Sequence, residues 1–143
     1  TLVYANALAN EARHLVQLED LEGAVRNYER SLAIHEQLHE TTSANYWETQ
    51  RAFAGALVHV NPARAATLCE SIAANARQDN IFRGRVLVCW AMAERASGKQ
   101  DAAIARLHEA VALFNKHDPH EATWLTRKKA APFLAEAEDN IVK

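Results

Sequence analysis

Apolar residues recur along nearly the whole chain at intervals of three and four, the period of a helix that buries one face. Short polar breaks divide this pattern, and it predicts helices over about 2–18, 20–39, 43–58, 62–78, 80–97, 99–116 and 120–139. The breaks carry the chemistry that starts and stops helices. Thr41, Thr42 and Ser43 offer capping hydroxyls, Asn61 precedes Pro62 at a first-turn position, Ser97-Gly98 closes a helix and Asp118-Pro119 opens another. Pro132 either kinks the last helix or begins a short eighth one. The expected class is all-α, with about seven helices.

Helices of such even length with brief connections form antiparallel pairs, and the pairs repeat. Asp20-Leu21-Glu22-Gly23-Ala24 through Tyr28 has the layout of Gly98-Lys99-Gln100-Asp101-Ala102-Ala103 through Leu107: a turn, an alanine where two helices approach, and a large apolar residue one turn later. Asn61-Pro62-Ala63-Arg64-Ala65 fills the middle place, and the spacings between Ala24, Ala65 and Ala103 are 41 and 38 residues. Repeats therefore span about 2–39, 43–78 and 80–116, with a partial or capping unit over 120–143, all within one domain, 1–143. The middle repeat has two readings. Ala65 suits its second helix, while Ala66 better suits its first, through Phe53, Ala54 and Leu57; a one-residue difference in loop length reconciles them.

These residues resemble the tetratricopeptide repeat superfamily, matched in the first repeat by Leu8, Ala12, Leu15, Ala24, Tyr28, Ser31 and Leu32. The third matches through Leu87, Ala91, Gly98, Ala103, Leu107, Ala110 and Val111. Glu11 and Glu94 depart from the pattern at points usually apolar or aromatic, and Glu36 or Arg77 stands where a proline often ends the unit. The spacing near forty is similar to that of sensor arms in bacterial regulatory ATPases and transcription factors. The resemblance implies a TPR-like antiparallel helical-hairpin array, an α-solenoid, whose first helices line a concave groove that binds a peptide or partner helix.

Composition agrees with a helical domain: 29 alanines stand against four glycines and three prolines, with 7% aromatic residues. A formal net charge of −2 provides no positive field for nucleic acid or anionic membrane, and no apolar run is long enough to span a bilayer. The short basic run Arg127, Lys128 and Lys129 precedes the acidic Glu136, Glu138 and Asp139 and reads as a solvated face. Without a secretory segment the expected location is cytoplasmic, and a chain opening on Thr1 in a helix-like pattern is expected to be part of a longer regulator. Cys69 and Cys89, twenty residues apart, read as reduced, buried, small hydrophobes. Trp90 and Trp124 read as core fillers.

Counting back from the anchor alanines puts Asn6, Ala9, Asn10 and Arg13 on the groove in the first repeat. Trp47, Gln50, Arg51 and Ala54 follow from the second, and Arg85, Val88, Cys89 and Met92 from the third. The expected partner-binding set is Asn6, Arg13, Trp47, Arg51, Arg85 and Met92: three forked guanidiniums for carboxylates over an apolar floor, suited to an acidic, partly apolar peptide. The donor clamp that related proteins close on a chaperone's terminal carboxylate is not reproduced, since Ala9, Arg13 and Cys89 occupy its places. The string His35-Glu36-Gln37-Leu38-His39 is a literal HExxH, which on a helix chelates zinc and sets a glutamate against bound water. A zinc hydrolase using His35 and His39, with Glu48 or Glu70 as third ligand, is the alternative. Thr42 and Asn45 stand where a metzincin continues, and no strand is predicted to align a substrate, so the match is read as coincidental and no enzyme activity or cofactor is expected. A third reading is a structural spacer or self-association domain that forms a homodimer through an exposed end face.

Overall fold

A computed structural model describes residues 1–75, 80–118 and 120, and among these it is all-helical. Six helices follow in order: α1 (Leu2–Gln17), α2 (Leu21–Gln37), α3 (Ala44–Leu57), α4 (Pro62–Asn75), α5 (Ile81–Ala96) and α6 (Gln100–His117). The predicted seventh helix, Pro132, Trp124 and the charged stretches at 127–129 and 136–139 lie outside the described residues, as does the end of the predicted fourth helix.

Side-chain caps set where the helices begin. Backbone N–H groups donate to Thr1 Oγ1 from Tyr4, to Asp20 Oδ1 from Gly23, to Ser43 Oγ from Tyr46, to Asn61 Oδ1 from Arg64 and to Asn80 Oδ1 from Arg83, at 3.0–3.2 Å. Lys99 precedes α6 with φ −95° and ψ 68°, close to the −88° and 75° of Asp20, yet has no side-chain acceptor to cap with. Three helices end alike. The amide of Asp20 returns to the Leu15 carbonyl, that of Glu40 to His35 and that of Lys99 to Glu94, each at 2.8 Å, over a left-handed residue: Glu19, His39 and Gly98.

The connections inside the first and third pairs are three residues, 18–20 and 97–99, and turn each second helix back along its first. Each helix packs on its chain neighbours, and α1 also touches α3, which touches α5. The first members of successive pairs thus lie side by side, the arrangement of a stacked helical-hairpin array. Close approach rests on small residues: Ala12 and Ala24 in the first pair, and Ala91 and Ala103 in the third, are fully enclosed. Tyr28 and Leu107 fill the space one turn beyond, and Ser31 Oγ donates to the Ala5 carbonyl at 2.7 Å, locking α2 to α1.

In the middle pair the connection, 58–61, is one residue longer. That residue lets α4 pack with Ala65 inward while α3 turns Phe53, Ala54 and Leu57 inward, so the two readings of this repeat describe two helices in shifted registers. One apolar cluster runs from α1 to α5, and two smaller ones join α5 to α6.

Candidate functional site

On the surface of α1 and α3, Asn45 Nδ2 donates to Asn6 Oδ1 at 2.5 Å and ties the two helices together. Arg13 is exposed and donates to Asn10 Oδ1 at 3.0 Å. Its charge also acts on the buried phenol of Tyr28 on α2, as does that of Arg51 on α3. Burial pushes the Tyr28 phenol above the ordinary tyrosine range, while the charges of Arg13 and Arg51 pull it down. Arg51 is half-buried and grips Glu48 with both arms of its fork, at 3.0 and 2.5 Å. Burial alone would weaken its protonation, and the bonds to the Glu48 carboxylate outweigh that effect.

The charges of Arg13 and Arg51 thus both act on one tyrosine that groove counting did not include. Trp47 is half-buried, edge-on to Tyr46 with ring centroids 5.3 Å apart, and Met92 also packs against the main core cluster. Gln50 donates to the Tyr46 hydroxyl at 2.7 Å. Arg85 is exposed on α5. Ala9, Ala54 and Cys89, expected on this surface, are instead buried core residues, because their positions turn toward the neighbouring helix and not toward solvent.

The HExxH string does not form a two-histidine helix face. α2 ends at Gln37, so His39 lies past the last turn, exposed, with φ 54°, and not within that turn as the pattern suggests. His35 is 1% exposed, continues the buried stripe of Ala24, Tyr28 and Ser31, and stacks obliquely on Tyr46 with centroids 5.7 Å apart. Neither of its ring nitrogens has a hydrogen-bond partner among the described residues. No group of three or more potential metal ligands comes together among those residues.

A second concavity, which the sequence pattern did not locate, lies between α4, α5 and the start of α6. It encloses about 490 Å³ and is lined by Ala63, Ala66, Thr67 and Glu70 from α4, by Trp90, Glu94 and Ser97 from the α5 side, and by Lys99 and Arg106. The small side chains of α4 leave the room. Glu94 is 5% exposed and accepts from Arg106 Nε, and the Arg106 guanidinium lies over the Trp90 ring, 3.3 Å from its centroid. Trp90 is thus half-buried beneath a cation and is not simply core. The one signal in the sequence was Glu94 itself, a carboxylate at a point of the repeat that is normally apolar.

Neither the models of known families nor the curated proteins searched give any match to this chain. Its reading rests on its own residues.

Proposed function

We propose that this chain is a TPR-like protein-interaction module of a larger cytoplasmic regulator, and that it binds an acidic, partly apolar peptide or partner helix across α1, α3 and α5. Binding, not catalysis, is its work. The observation that carries the reading is that Arg13 and Arg51, from two different helical pairs, both act by their charge on the buried Tyr28 phenol. Two guanidiniums acting on one point favour a ligand carboxylate, and the half-buried Trp47 and Met92 supply apolar contact. Arg13 meets the ligand first because it is exposed, whereas Arg51 is already engaged by Glu48 and holds the centre of the site in position. Exposed Asn6 on α1 and Arg85 on α5 are the further contacts assigned to the ligand.

Fluorescence anisotropy with labelled peptides rich in Glu, Asp, Leu and Phe tests this. Affinity is expected to fall with added salt and to drop roughly tenfold, about 1.4 kcal/mol, in Arg13→Glu. An Arg13→Glu protein that binds its best peptide as tightly as the parent does would overturn the reading.

Exposed Val3 and Leu18, each more than three-quarters accessible, favour self-association through the α1–α2 end as a second reading. Sedimentation of the parent and of Val3→Glu distinguishes it: a concentration-dependent dimer abolished by the substitution supports it.

A further inference from the structure

Cys69 and Cys89 are twenty positions apart in sequence, but the fold opposes them. Cys69 stands near the middle of α4 and Cys89 near the middle of α5, and these neighbouring helices pack together. Neither is in a disulfide, both are buried in the same apolar cluster, and their side chains interact as hydrogen-bonding partners. The helices belong to different pairs, so the two sulfurs meet across the seam between the second and third repeats.

The two sites are not equivalent. Cys69 is wholly enclosed, whereas Cys89 keeps 8% of its surface; the charge of Arg51 acts on both. Contact with the Cys89 thiol, together with burial, drives the Cys69 thiol far above the ordinary cysteine range, so Cys69 is inert toward a reagent arriving from solvent.

We propose that Cys69 and Cys89 form an intramolecular disulfide when the folded protein meets a peroxide, stapling the second helical pair to the third. In the first step the Cys89 sulfur attacks one oxygen of hydrogen peroxide. The S–O bond forms, the O–O bond breaks, and the departing hydroxide takes up the thiol proton as water, leaving a sulfenic acid. In the second step the Cys69 sulfur attacks the Cys89 sulfur. The S–S bond forms, the S–O bond breaks, and the hydroxyl leaves as water with the proton of Cys69. Two thiols lose two protons and two electrons, and the peroxide is reduced to two waters. Burial makes the first step slow and the contact makes the second fast. Because the charge of Arg51 acts on both thiols and Arg51 also grips Glu48, the staple forms within the electrostatic reach of the proposed binding surface.

The test uses the whole reduced chain treated with hydrogen peroxide, quenched, alkylated and digested with trypsin. The expected product is lighter by two hydrogens, with the peptide of residues 65–77 joined to that of residues 86–95. The ratio of linked product to over-oxidised Cys89 is expected to be at least roughly tenfold higher in the native protein than in urea, because only the fold holds the sulfurs together. The linked form is expected to melt at a higher temperature than the reduced form and to revert with dithiothreitol. In Cys69→Ala, dimedone is expected to label Cys89, and in Cys89→Ala it is expected to leave Cys69 unlabelled. Oxygen addition without the joined peptide, an equal product ratio in urea, or linkage only between molecules would each overturn the proposal. The parent measurements stand even if a cysteine variant fails to fold.

Discussion

The three matched helix ends make a sharp test, because they share one hydrogen-bond pattern and differ in the residue that must adopt left-handed backbone. Glu19 has φ 63°, His39 has φ 54° and Gly98 has φ 81°. An L-residue with a β-carbon pays about 1–2 kcal/mol in that conformation, and glycine pays nothing there. Glycine gives back part of the gain, since its freer unfolded chain costs about 0.4–1 kcal/mol on folding. Glu19→Gly and His39→Gly should therefore each stabilise the protein by roughly 0.5–1 kcal/mol, and Gly98→Ala should destabilise it by a similar amount. The Gly98 effect is one of backbone alone, because no atom lies within 4 Å of where its β-carbon would stand. Gly98→Asn should lose less than Gly98→Ala, since asparagine tolerates this region. Urea unfolding followed by circular dichroism checks all four: midpoints should move with slopes unchanged, and melting temperatures should shift by about 2–4 °C per kcal/mol. A destabilised Glu19→Gly together with a neutral Gly98→Ala would refute the reasoning.

Two further glycines should respond in opposite directions. Gly84→Ala places a β-carbon 2.6 Å from a ring carbon of the enclosed Phe114 and should cost about 1–3 kcal/mol, whereas Gly55→Ala meets nothing and should stabilise α3 by about 0.5–1 kcal/mol, both read from urea midpoints. Arg106→Met strands the buried Glu94 carboxylate and should cost about 1–3 kcal/mol. Adding Glu94→Gln should recover part of that, and a double-mutant cycle with no coupling would contradict the pairing. The raised phenol of Tyr28 has a pH consequence. Its contribution is complete below the unfolded tyrosine value near pH 10 and is lost as pH rises through the higher folded value. Tyr28→Phe should therefore lose less stability than the parent between pH 9 and pH 11, measured by urea unfolding at each pH.

Much of the fold was legible because it depends on local rules. Ser43, Asn61 and the alanines at 12, 24, 91 and 103 announce caps and close approaches through their size and hydrogen-bonding groups alone, and the structure uses them that way. The shifted register of α3 against α4 was visible as two competing anchors, Ala65 and Ala66. Less legible was anything set by the turn of one helix against the next. Ala9, Ala54 and Cys89 share a helical stripe with exposed residues, and only the position of the adjoining helix decides that they are covered. The joint action of Arg13 and Arg51 on Tyr28 and the Cys69–Cys89 interaction each join helices from different pairs, and no spacing within one repeat encodes such a relation. His39 was misplaced for a simpler reason: the left-handed residue that ends α2 is a histidine and not a glycine, so the usual stop signal is missing.

Lys99 takes the backbone angles of a capping residue without the oxygen that a cap needs, and it also stands on the rim of the α4–α5–α6 cleft. Firmness of the third hairpin and the electrical character of the cleft are consequently governed by one side chain. An aspartate there would close the start of α6 as Asp20 closes α2, and would turn a lining of two acids and two bases into three acids and one base. Any attempt to harden this hairpin at residue 99 will at the same time change which molecules the cleft attracts.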